Sequence, residues 1–508
     1  MIYGNTGCLF YFLTFFAHIF IKIYARMSPI SYFYEKGGRD MISKKLAIDV
    51  LNEALSTGAD YAEIFYEDSH AHNISIENGK VETSGSNSLC GVGLRLLKEN
   101  QCIYGYTNDL SKKGLFALAN SLNKSFNGKR LLTVTKLDMI RCKNRNPIKH
   151  SYDDVPVEEK IALLKEGIDE INSIGDPRIV RTFGIFLDNH RFVAVFNSKG
   201  KWFKRDSEFG RMVFQVIAAD QNGFETGFEG PGAQQGIEYF RTEKVNPRKA
   251  ARKAAETALK MLTAAECPSG KMPVVIGNGW GGVLFHESCG HPLESSSVAK
   301  GISCFSQNKI GDYIASPIVS AVDDSTLPEE WGSIDIDDEG NLGTKRLLIK
   351  NGKLNDYMID DLNGRRMGRE GNGACRRQNY RFIPTSRMSN TYICNGKNTP
   401  EEVIKATKLG LYAVSFNGGS VDPTTGEFNF GCSEAYIIRD GKVCEPVRGA
   451  TLIGKGFEIL KKIDMIANDL DLAQGNCGAS SGSIRTNVGQ PTLRVSEVTV
   501  GGRGGELK

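Results

Sequence analysis

The chain has 508 residues, several times the usual domain length of about 100–200, so two or three domains are expected. Its 40% hydrophobic and 24% charged residues are those of an ordinary globular protein and exclude a disordered chain or a polytopic membrane protein. With 63 basic against 59 acidic residues the net charge is only +4, which offers no basic stripe for a nucleic acid.

Glycine is the outlier at 56 residues, a surplus that serves tight turns and close backbone approaches. The 12 cysteines are irregularly spaced and form no CxxC pair, which argues against a zinc ribbon, ferredoxin or thioredoxin site. They read as reduced thiols in a cytoplasmic protein.

From Leu9 to Tyr24 the sequence is nearly all apolar, broken by His18 and Lys22. That run is short for a membrane span of about 20 residues and lacks the basic flank and cleavage site of a signal peptide. Residues 1–40 are therefore read as an extension outside the fold, with no stable membrane insertion. A weak signal-anchor is the alternative.

An amphipathic helix follows over Ile42–Ser56, with Leu46, Val50, Ala54 and Leu55 on one side and Gly58 beyond it. Asn78–Gly79 between Ile74, Ile76 and Val81 marks a hairpin. A strand at Gly91–Leu97 and a helix at Leu110–Leu122 complete an N-terminal domain over 41–122. Residues 123–155, rich in Lys, Arg and Asn, look like a linker. Pro156 opens a helix to Ile171. Strands around Arg191–Phe196 and Lys201–Lys204, and a helix from Asn246–Pro247 to Ala264, make a central domain over 156–264. The remainder, 268–508, is strand-rich, with hairpin signals at Asn351–Gly352 and Asp440–Gly441 and helices at Glu401–Leu409 and Gly456–Ile463. The mixed order predicts an α+β fold.

The chemistry concentrates at the start of that last region. Met272–Ile276 is a short apolar strand, Gly277–Gly282 reads GxGxxG, and Val283 opens a helix. This is formally a dinucleotide fingerprint. Residues 295–310, however, offer no second buried strand with an acidic residue at its end. An NAD-linked oxidoreductase is thus the weaker reading.

His286-Glu287-Ser288-Cys289-Gly290-His291 is an HExxxH and uses two of the chain's seven histidines. Imidazole and carboxylate are the usual components of a hydrolytic zinc site. Five residues turn roughly 140° out of alignment on a regular helix, so both rings reach one ion only through a wider π-type turn or a helix that stops near Gly290. Pro292 favours the second solution, because it disfavours the α region at His291. A third ligand is required, with Glu294 or a distant cysteine as candidates. Cys477, in the small-residue run Gly475–Gly478, ranks first among them only weakly. Cys432 reads as a packed strand residue and Cys289 as turned aside.

Gly281–Glu294 resembles the metallopeptidases of the TldD/PmbA family, on the TldD side. Similar stretches are Tyr104–Thr107, Asn390–Tyr392, Ser433–Tyr436, Arg448–Gly454 and Val488–Leu493. The resemblance implies the TldD/PmbA fold and a zinc ion held by His286, His291 and Cys477, with Glu287 as catalytic base. It also implies unfolded or short peptides, some of them modified precursors, as substrates, reached inside a dimer cavity. The partner is a second copy or a metal-free PmbA-type sister subunit. A non-catalytic peptide-binding subunit with structural zinc is the alternative.

Two further features are weighed. Asp335–Gly340 mimics the start of a calcium loop, but position twelve is Arg346 instead of Glu, so a solvated turn is expected. Arg376, Arg377 and Arg387 are basic residues able to orient a peptide carboxylate or carbonyl. Arg377 and Arg387 are carried as substrate-binding candidates.

Overall fold

The computed structural model describes residues 8–9, 42–221, 223–306, 308–422 and 425–507. Apart from Cys8–Leu9, a short strand, the extension 1–40 and its apolar run lie outside the described residues. No described helix is long and apolar enough to cross a membrane.

Helix α1 (Lys44–Ala54) begins at Ser43, whose hydroxyl accepts the Leu46 N–H at 3.2 Å. Strands β1 (Tyr61–Glu77) and β2 (Lys80–Lys98) form the expected hairpin, with Asn78 at φ 47° and Gly79 at φ 81°, the doubly left-handed turn that suits a twisted ribbon. Strand β3 (Gln101–Thr107) and helix α2 (Lys112–Asn123) follow. After the excursion come α3 (Val157–Ser173), β4 (Ile179–Asn197), β5 (Lys201–Asp220), β6 (Gly223–Glu229) and α4 (Pro247–Leu262). Strands β4 and β5 are far longer than the alternation alone suggested.

The order β3-β2-β1-β4-β5 makes one antiparallel sheet. Glu63–Glu77 of β1 pairs with Phe183–Asn197 of β4 without a break, so the sheet runs straight across the boundary between the two expected domains. Each half is covered by its own helices. Helices α1 and α2 bury Val50, Leu51, Leu115 and Ala119 against Ile64, Leu94 and Leu96. Helices α3 and α4 bury Leu164, Ile168, Ala254 and Ala258 against Phe186 and Phe214. The excursion 123–155 is largely irregular and is tied down at intervals. The Asn52 side chain, for example, donates to Val134 O and accepts from Val134 N.

The C-terminal region adds β7 (Gly270–Ile276), β8 (Ala321–Asp324), β9 (Lys345–Lys350), β10 (Lys353–Leu354), β11 (Asn390–Ile393), β12 (Leu409–Val421), β13 (Glu427–Arg439), β14 (Lys442–Arg448), β15 (Thr451–Lys455), β16 (Asp471–Ala479), β17 (Gly482–Gln490) and β18 (Leu493–Gly501). Strands β12, β7, β18, β15 and β13 pair in a ring that closes through β13–β12. Val274, Leu411, Phe430, Leu452 and Val495 fill one buried cluster there. A second sheet, β10-β9-β8-β11-β17-β16, leaves β16 at its edge. The segment after β7 lies between this ring and this sheet.

The acidic run 335–340 is not the solvated turn the sequence suggested. Asp337, Asp338 and Glu339 are buried: guanidinium groups meet Asp338 and Glu339, while Asp337 accepts the backbone N–H groups of Glu339 at 2.9 Å and Asn341 at 2.8 Å. Arg205 reaches Asp338 at 2.9 Å, and Arg95 bridges Glu63 at 2.8 Å and Glu339 at 2.7 Å. Arg377 lies in the same layer, 2.6 Å from Glu63 and stacked 4.0 Å from the Phe65 ring centroid. This ionic layer joins the C-terminal region to the N-terminal sheet. It also accounts for Arg377, a candidate for substrate contact: its side chain is fully buried and committed to Glu63.

Removing one partner from a buried pair costs about 3–5 kcal/mol. Glu63→Gln, which strips the carboxylate from both Arg95 and Arg377, should therefore lower the urea unfolding midpoint substantially. An unchanged midpoint would show that the layer is dispensable.

A smaller link holds the short turn Tyr152–Asp154 to the sheet. His190 of β4 bonds Asp153 through Nδ1 and Asp206 through Nε2. The His190 hydrogen bond holds the Asp153 carboxyl below its usual range. A depressed carboxyl stabilises the fold above its unfolded pKa, and that gain is lost as pH falls through the folded value. Asp153→Asn should thus lower Tm at pH 7, with the gap to the parent closing near pH 3.

Candidate metal centre

After β7 the backbone runs through a 3₁₀ turn at Gly279–Gly282 and one α turn at Val283–Phe285 into a π turn at His286–Gly290. The glycine loop is packed against protein. A Cβ on Gly282 would meet the Gly489 backbone nitrogen of β17 at 2.3 Å, and one on Gly281 would meet the Gln490 side chain at 2.6 Å. The glycines thus let the loop lie directly on β17, and that contact gives them a role independent of any dinucleotide.

The π turn solves the spacing problem of HExxxH. The His291 N–H bonds to His286 O, five residues back, which brings the imidazoles to a centroid separation of 5.0 Å at 89° between planes. Here the structure departs from expectation. Pro292 does not expel His291 from the α region, since His291 sits at φ −58° and ψ −44°. The disfavour before proline is a bias, and the bond to His286 O together with complete burial overrides it. Helical turns continue to Leu293, and the chain becomes extended only at Glu294. Cys289 points into the hydrophobic cluster, where burial pushes its thiol well up, and Cys432 packs in the same cluster.

Strand β16 supplies the remaining donor. Cys477 pairs with Ile484 of β17 and is 2% exposed. Its Sγ lies 3.1 Å from His291 Nε2, across 186 residues of sequence. One donor atom from each of His286, His291 and Cys477 falls within 4.8 Å of the others. Glu294, the other candidate for third ligand, is on the far side of the His291 ring, with Oε1 3.4 Å from Nδ1.

The chemistry of this donor set fits a divalent metal. Two imidazoles and a thiol are an accepted zinc set, and they are buried where no surface role explains them. Burial lowers the His286 pKa, so its ring is neutral, the form that donates a lone pair. Glu287 is fully buried, and neither carboxyl oxygen has a hydrogen-bond partner among the described residues. Its Oε2 lies 4.0 Å from His291 Nε2. Burial pushes this carboxyl up to about 8, with His291 pulling the other way. An orphaned buried carboxyl beside a donor cluster is costly, and a cation next to it would favour the ionised form.

Arg387 was a second candidate for substrate contact. The structure buries it and aims it at the cysteine strand. It donates to Cys477 O, to Ser481 Oγ at 2.9 Å and to Gly482 O at 2.9 Å. Its role, and that of Glu294 behind His291, were not foreseen. The one available signal was that Glu294 lies three residues after His291, on the same side of a helical turn. A cavity of about 1250 Å³ opens beside the centre, between α4, β6 and the strand ring. Trp280 lines it and also packs against the cluster containing Cys477.

Residues 62–125, 150–262 and 269–502 match the PmbA/TldA metallopeptidase domain 1, central domain and C-terminal domain. A metalloprotease TldD homolog of Buchnera aphidicola is 33% identical over 465 residues, covering 89% of this chain and 95% of its own length. A zinc metalloprotease TldD homolog of Saccharolobus solfataricus is 24% identical over 461 residues, covering 89% and 99%. Among solved structures, TldE from Thermococcus kodakarensis superposes with a TM-score of 0.70 at 16% identity, over 90% of this chain and 99% of that one. With three consecutive domain matches and a relative one-third identical along nearly its whole length, the chain belongs to the PmbA/TldD family of metallopeptidases.

Proposed function

We propose that this chain is a zinc-dependent peptidase in which His286, His291 and Cys477 hold the metal and Glu287 is the general base. The reading rests on one observation above the rest: donors from a π turn and from a strand 186 residues later converge beside a buried carboxyl that the protein itself leaves unbonded. A divalent ion held there supplies Lewis acidity toward a water and a peptide carbonyl.

The protein's own groups then have defined tasks. Glu287 takes a proton from the attacking water and returns it to the departing amide nitrogen. Its approach to the donor cluster, with Oε2 4.0 Å from His291 Nε2, puts it in range for that transfer. The dry surroundings of His286, Glu287 and Cys477 strengthen each electrostatic contact with developing charge. An unfolded or short peptide, including a modified precursor, is the substrate class, and the cavity beside Trp280 is its route. The expected setting is the cytoplasm, in keeping with the eleven cysteines from Cys90 to Cys477, none of which is in a disulfide. The chain acts in a dimer, either with a second copy or with a metal-free PmbA-type sister.

Glu287→Gln is the direct test. Zinc content should stay near one per chain, while hydrolysis of an unfolded protein substrate falls by about 10²–10⁴. Full activity in that variant would defeat the assignment, and a chain without zinc would defeat the metal set. Light scattering of the purified chain decides its partner. A mass of two chains means self-pairing, whereas a single-chain mass that doubles when the sister is added means a heterodimer.

A further inference from the structure

We infer that Arg387 and Glu294 are positioning residues that lock the two separately built halves of the metal centre to each other. This inference rests on the metal reading above and extends it to groups that bind no metal themselves.

The two halves come from different parts of the fold. His286 and His291 sit on the π turn after β7, whereas Cys477 belongs to β16, the edge strand of the second sheet. An edge strand has a neighbour on one side only, so its position relative to the histidines needs an additional tie. Arg387 supplies one. Its guanidinium, 1% exposed, donates to the carbonyl of Cys477 itself and to Ser481 and Gly482 at the turn that follows. Its Nε is 3.8 Å from Glu294 Oε1.

Glu294 connects that same guanidinium to the histidine half. Its side chain is 5% exposed, and Oε1 stands between Arg387 Nε and His291 Nδ1, at 3.8 Å and 3.4 Å. At 3.4 Å and without hydrogen-bond geometry, the Glu294 carboxyl acts on Nδ1 through charge alone; it favours the tautomer with its hydrogen there, which leaves the Nε2 lone pair on the side of Cys477 Sγ, 3.1 Å away. One chain of contacts therefore runs from the cysteine carbonyl through Arg387 and Glu294 to the back of His291. It sets the tautomer of one ligand and the position of another together. A guanidinium is suited to this task because its planar fork holds several acceptors in fixed directions, whereas a lysine ammonium is a flexible point charge.

The test compares the full-length parent with Glu294→Gln and Arg387→Lys. Zinc affinity is read by competition with a chromogenic chelator, and geometry by the visible absorption of the cobalt-loaded protein. Glu294→Gln and Arg387→Lys should each weaken zinc binding about 10–100-fold and shift the cobalt bands. Unaltered affinity and bands in both variants would overturn the inference while leaving the metal reading intact. A parent chain that takes up neither zinc nor cobalt would overturn the metal reading instead. If Arg387→Lys unfolds, as judged by circular dichroism, Glu294→Gln decides alone: its cobalt spectrum either departs from the parent's or refutes the link.

Discussion

The centre depends on a single constraint: polar groups that would be expensive to bury alone are buried together. His286, Glu287 and Cys477 are almost wholly shielded from water, and the protein satisfies them only in part. A buried carboxyl without a hydrogen-bond partner costs folding free energy, and a cation beside it would offset that cost. The surrounding architecture follows from this need. The closed ring of strands supplies a rigid wall, the π turn aims two imidazoles inward, and the second sheet delivers the thiol.

A π turn is the least common way to continue a helix, and its presence at this point has a geometric reason. A regular α-helix would point residues five apart in diverging directions. One widened turn restores their convergence while keeping the chain helical into His291-Pro292-Leu293. The proline is tolerated because it enters a new, short 3₁₀ turn at a position whose N–H is not needed.

How much of this was legible in the sequence varied with how local the cause was. Hairpins and amphipathic helices were readable because Asn78–Gly79 and the α3 stripe act on their immediate neighbours. The HExxxH was readable as two imidazoles and a carboxyl gathered in one turn, and its odd spacing limited the possible geometries to two, of which the π turn is the one present. The full lengths of β4 and β5 were hidden, because paired polar residues such as Asn189, His190 and Glu208 interrupt the alternation. The burial of Asp337–Glu339 was hidden as well, since Arg205 and Arg95, which meet Asp338 and Glu339, come from positions more than a hundred residues away. For the same reason Arg377 and Arg387 looked like surface cations. Nothing near them in sequence shows that Glu63 and the Cys477 carbonyl consume their charge and donors.

The uninterrupted ladder between β1 and β4 has a consequence for the modular history of the chain. Two segments that match separate family domains share fifteen consecutive cross-strand positions, so neither has a finished edge without the other. Gene rearrangements that swapped one segment alone would expose a long row of unpaired peptide groups, an invitation to aggregate. Such a seam favours inheritance of the pair as one block, joined by a segment that is itself held to the fold through Asn52 and Val134.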